Sequence, residues 1–187
     1  MRAQKLRAAI PEMLLKRWRS LCSYCRLEQH TEETMADKPL MPSEVRRKVL
    51  SQHREIEQML AELETGVAQL ADGEVGAEQV KRAAYGLRGI LELHMNFEEE
   101  HMAPAISEAD GFGPERVRHL HSEHADQRRE LDRLVDQIRE ASSTQDLAAS
   151  VSKLAQMLRD DIEDEERDYV NDKLLRDNLI PGDTFGG

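Results

Sequence analysis

The run HMNFEEEHMAP, residues 94–104, brings two imidazoles and three carboxylates together in one short acidic stretch. On a helix turning by about 100° per residue, Glu98 falls about 40° to one side of His94 and His101 about 20° to the other. Glu99 and Glu100 point elsewhere and read as ordinary surface charge. An imidazole and a carboxylate one turn apart can reach the same metal ion or ion pair. His94 and Glu98 are therefore a candidate ligand pair.

Three other places give the same result. His53 is centred on a stripe of Val49, Leu60 and Val67 flanked by Leu50, Ile56 and Leu63, and His124 on a stripe of Val117, Leu120, Leu131, Val135 and Ile138. Asp161 and Glu165 continue the row of Leu147, Val151, Leu154 and Leu158. For any one of these histidines, a hydrogen-bonded core position is the ordinary alternative. Together they direct several polar groups at one axis, and burying lone carboxylates costs several kcal/mol unless something pairs with them. Histidines would pair with some; two divalent cations would satisfy them all. A carboxylate can bridge two ions about 3.5–4 Å apart while imidazoles cap them. Mixed imidazole and carboxylate donors suit iron, with manganese or zinc as alternatives.

Four further residues are candidates for supporting positions. His101 faces inward on the wheel but stands about 10 Å along the axis from His94, so it reads as a support or gate. His121 lies off the centre of its stripe, at the rim. Glu57 follows His53 by one turn, and Tyr169 follows Glu165 by one turn. CSYC, residues 22–25, holds both cysteines of the chain, Cys22 and Cys25. With no second pair to complete a zinc site, it reads as an incidental motif.

The elements that must position these groups are helices. Helix formers dominate, aromatics are 4% of the chain, and no run alternates with period two. Residues 1–41 read as a tail that can hold one short extra helix, 42–175 as the bundle, and 176–187 as a C-terminal tail. The first bundle helix starts at Pro42-Ser43-Glu44, with Ser43 as N-cap, and stops before Asp72-Gly73. The second runs from near Ala77 until Pro104 ends or kinks it. The third opens at Pro114, and the fourth at about Asp146. Four amphipathic helices with short loops predict an all-α, up-down-up-down four-helix bundle.

The 187 residues carry a formal net charge of -11. That excludes a general nucleic-acid binder and a polybasic membrane surface. No stretch approaches the ~18 apolar residues of a membrane span. The N-terminal segment is basic without a continuous apolar core, so it does not read as a secretory leader. A cytoplasmic location is the default expectation.

HMNFEEEHMAPAI resembles the His-x-x-x-Glu-Glu…Pro run of hemerythrin-like, His-His-Glu cation-binding domains. SQHREIEQML, SEHADQRREL and LRDDIEDEERDY resemble that family's first-, third- and fourth-helix segments. The resemblance spans residues 43–172. It implies a four-helix bundle holding two non-haem iron ions that meet oxygen, peroxide or nitric oxide. It also implies His53, His94, Glu98, His124 and Glu165 as ligands, the two glutamates bridging. The family usually has a histidine where this chain has Asp161, and Leu120 stands where reversible oxygen carriers have another. A carboxylate-rich set stabilises the ferric state, which turns the expectation from oxygen carriage toward sensing, scavenging or oxidation, including peroxidase-like activity. The partner is then a small diatomic ligand or peroxide, and no redox partner is specified. An iron-responsive folding module and a metal-free acidic helical interaction protein are the rival readings.

Overall fold

The computed structural model describes residues 40–177. The tail of residues 1–39 with its expected short helix, the Cys22–Cys25 pair, and residues 178–187 lie outside the described residues. Among the described residues all regular structure is helical. Helix α1 spans Pro42–Ala71 and α2 spans Ala77–Phe97. A π-helical turn, Glu98–Met102, joins α2 to the short α3, Ala103–Ala109. Helices α4 (Gly113–Glu140) and α5 (Thr144–Asp168) complete the set.

Helix α1 packs on α2 and α5, and α4 packs on the same two. The α2–π–α3 rod counts as one member, so four long helices form the expected bundle, neighbours in sequence being neighbours in space. Among the described residues no helix is long and apolar enough to cross a membrane.

The helix ends follow local chemistry, with one difference from expectation. Met41, not Ser43, occupies the cap of α1, and Glu44 reaches back to accept from the Met41 amide at 3.0 Å. Ser43 instead donates from its amide and hydroxyl to the Asp177 carboxylate, at 2.9 and 2.6 Å. This long-range contact pins the chain beyond α5 against the start of α1, which no local pattern encodes. Gly73 turns the chain after α1 at φ 78°, in the left-handed region that favours glycine. Ser143 caps α5 by accepting from the Asp146 amide at 3.0 Å. At Gly113 the constraint is space. A Cβ there would lie 2.3 Å from the Ser107 carbonyl oxygen and 2.5 Å from that of Ile106, so only glycine lets α3 and α4 meet this closely.

The bundle interior has two apolar clusters. One contains Ile56, Leu60, Leu87, Leu91, Leu131, Leu134, Leu154 and Leu158. The other contains Val45, Val49, Phe97, Met102, Ile106, Leu120, Tyr169 and Leu175. In every helix the sequence passes from one cluster to the other through a polar residue: His53, His94 and Glu98, His124, and Glu165. These are the five buried polar or charged residues among the described residues. They form one polar layer between two apolar ones.

Candidate metal centre

The layer converges. One ligand atom each from His53, His94, Glu98 and Glu165 lies within 4.8 Å of all the others. His124 joins from α4, with Nε2 3.3 Å from Glu98 Oε2 and 3.8 Å from Glu165 Oε1. The two oxygens of Glu165 face different ways. Oε2 sits 3.2 Å from His53 Nε2 and 3.7 Å from His94 Nε2, whereas Oε1 faces His124. Glu98 Oε1 is 4.0 Å from His53 Nε2, and its Oε2 lies between His94 and His124 at 3.5 and 3.3 Å. Both carboxylates thus stand between imidazoles of different helices.

All three histidines are oriented the same way. His53 Nδ1 donates to Glu166 Oε1 at 2.9 Å, His94 Nδ1 to Gln52 Oε1 at 3.0 Å, and His124 Nδ1 to Glu99 Oε1 at 2.9 Å. Fixing the outer ring nitrogen as a donor leaves Nε2 as the inward acceptor, which is how metal-binding imidazoles are held. Glu99 is itself held by Arg128, whose Nη1 lies 2.7 Å away. Gln52, Glu99 and Glu166 were not singled out by the sequence, and Glu99 corrects an expectation. It is not free surface charge: it is 28% exposed and ties α4 to the start of the π turn, whereas its neighbour Glu100 is 69% exposed. The available signal was its position beside Glu98, with His124 and Arg128 one turn apart on the facing helix.

The π turn also re-phases the helix. The Ala103 amide bonds to the Glu98 carbonyl, five residues back, which absorbs one extra residue before Pro104. Buried positions then include His94, Glu98, Met102 and Ile106, at four-residue intervals, beside Met95, Phe97 and Ala103. A uniform 100° wheel puts His101 inward; in the structure Met102 takes that place, fully buried. His101 is partly exposed and rests against the Phe97 ring at 4.7 Å. His121 is half-exposed, 4.0 Å from Glu99. Glu57 pairs with Arg159 at 3.3 Å. Tyr169 is buried and donates to Glu123 Oε2 at 2.7 Å, while accepting from His119. The structure brings none of these four into the convergent set.

Asp161 stands one turn before Glu165, partly buried. Burial, reinforced by the nearby charge of Glu165 and only partly offset by the Gln127 amide, raises its carboxyl to about 6. Burial alone would depress the His124 imidazole, but the close carboxylates of Glu165 and Glu98 outweigh it and raise the group to about 10. His53 is also raised, by Glu165 and Glu166 against its burial. The same contacts with His124, His53 and His94 overcome burial at Glu165 and hold it well below the usual carboxylate range. Without a cation in the layer, imidazolium–carboxylate pairs would carry its charge balance.

Those pairs do not satisfy the atoms. His53 Nε2, His124 Nε2, both oxygens of Glu98 and Asp161 Oδ2 are buried without a hydrogen-bond partner. Unpartnered buried polar atoms are rare and costly. Here the His53, His124 and Glu98 atoms face one another, from two donor types that bind divalent metals. The residues present therefore fit a metal centre.

The family model described as the hemerythrin HHE cation binding domain matches residues 45–171, which takes in the whole polar layer. The chain belongs to this family. No curated protein and no solved structure matches it significantly. As a hemerythrin-family bundle it carries its buried His/Glu cluster in a cation-binding domain. Leu120 is fully buried one turn before His124 and offers no ligand atom.

Proposed function

We propose that the protein is a non-haem di-iron protein that binds and reacts with oxygen, peroxide or nitric oxide, in sensing, scavenging or oxidation. The observation that carries this reading is the set of inward Nε2 and carboxylate oxygens lacking hydrogen-bond partners, each histidine anchored through Nδ1. His53, His94 and His124 would cap the ions, Glu98 and Glu165 would bridge them, and Asp161 would stand in for a histidine. Iron at such a site supplies one-electron chemistry and an open position for a small ligand.

The chain's own residues set the conditions for that chemistry. The two apolar clusters exclude bulk water from above and below. A cavity of about 20 Å³ lies beside His94, Asp161 and Glu165, otherwise walled largely by apolar side chains such as Ile56, Leu91 and Leu158. That volume admits a water-sized guest. Three carboxylates against three imidazoles favour the oxidised metal, which supports turnover over reversible carriage. Asp161, with its carboxyl raised to about 6, can hold or release a proton at the cavity wall in the metal-free protein.

Anaerobic loading with ferrous iron, then exposure to oxygen, peroxide and nitric oxide in turn, tests the reading. About two irons per chain at saturation and an optical change with at least one of the three are expected. One iron or none at saturation, or spectra indifferent to all three, would overturn it.

A further inference from the structure

The layer is unequal on its two sides. Towards α1 and α2 it offers two imidazoles, His53 and His94, both near Glu165 Oε2, with Glu98 Oε1 beside His53 and Glu98 Oε2 shared between His94 and His124. These belong to the four residues whose ligand atoms all converge. Towards α4 it offers one imidazole, His124, facing Glu98 Oε2 and Glu165 Oε1. A fourth donor is missing there because the residue one turn earlier is Leu120. On α5, one turn before Glu165, Asp161 Oδ2 is buried and unpartnered but outside the convergent set.

Access is unequal too. A groove of about 280 Å³ runs between α4 and α5 and reaches Glu165 and Asp161. Glu123, Asp126, Glu130 and Asp164 line it, and neither His53 nor His94 does. Acidic walls raise the local concentration of cations at such an opening.

We propose that the centre is graded: one ion is held tightly by His53, His94, Glu98 and Glu165, and a second is held loosely on the His124 side and exchanges through the α4–α5 groove. The proposal rests on the metal-binding reading above and adds to it an order of filling. Each imidazole adds a neutral donor with a fixed direction, so the side with two should fill first. At limiting metal the protein is then a one-ion species, and the second ion responds to supply.

The test is anaerobic equilibrium dialysis of the full chain against graded ferrous iron, with bound iron measured per chain. Two steps are expected, separated by roughly tenfold or more in dissociation constant, the scale on which ligand support changes metal affinity. His124→Ala should remove the weak step and keep the tight one, and His94→Ala should remove the tight one. Asp161→His should tighten the weak step and leave the other unchanged, which tests the order even if the alanine variants lose helicity. A single step taking up both ions, or loss of the tight step in His124→Ala with helicity retained, overturns the grading while leaving the metal reading intact. Tightening of the first step by Asp161→His does the same. Failure to bind iron at all overturns both.

Discussion

Replacing Glu99 by alanine is the sharpest probe of how the imidazoles are held. Its carboxylate accepts from His124 Nδ1 at 2.9 Å and from Arg128 Nη1 at 2.7 Å. The substitution leaves a fully buried ring without its outer partner, free to change tautomer or turn. Loss of such a partner typically lowers metal affinity by roughly 10–100-fold, or about 1.4–2.7 kcal/mol. The lower end is expected here, because Glu99 is 28% exposed and water can replace part of the contact. Chelator competition on the metal-loaded protein measures the change, which should fall mainly on the second ion. Glu100→Ala is the control: its side chain is 69% exposed and it should leave affinity unaltered. Glu99→Gln keeps an acceptor and should lie between the two. Equal affinities for Glu99→Ala and Glu100→Ala would refute the orienting role and return Glu99 to plain surface charge.

Metal uptake should release protons. In the metal-free protein His124 is raised to about 10, so it carries a proton at neutral pH that must leave when Nε2 binds an ion, and His53 is shifted in the same direction. Apparent affinity should therefore rise with pH from neutrality towards about 10, and an indicator dye in weakly buffered solution should record the release; no release refutes the pairing. The metal-free fold moves the other way. A folded-state pKa above the unfolded value means that the His124 contribution is complete below about 6.5 and is lost as pH rises through about 10. Gly113→Ala should lower the melting temperature, with an overpacking cost of about 1–3 kcal/mol, because its Cβ would strike the Ser107 and Ile106 carbonyls. Gly111→Ala, with nothing within 4 Å, is the comparison; equal melting temperatures would remove the close-approach argument.

The helical repeat of apolar residues was enough to read an all-α bundle, because each stripe has only one way to be buried. It was also enough to place His53, His94, Glu98, His124 and Glu165 on those stripes. Periodicity reports which face a residue shares, and burial follows the face. It does not report what lies across the interface. Gln52, Glu99 and Glu166 sit at the edges of their stripes, and their roles exist only once a histidine from the same layer is turned towards them. The Ser43–Asp177 contact is likewise made by residues far apart in the chain.

His101 left the inward position that the wheel gave it for a related reason. A π turn adds one residue to one turn, and a uniform wheel carries no register for that insertion. The four-residue spacing of His94, Glu98, Met102 and Ile106 is its trace in the sequence, legible once the turn is seen. By itself, then, the sequence determined the class of fold, the kinds of ligand atom and the helices that carry them, because amphipathic periodicity is a local property of each helix. Only the tertiary structure decided which oxygens face which imidazoles, which outer groups orient the rings, and that one side of the layer is richer in donors than the other, because those are relations between helices.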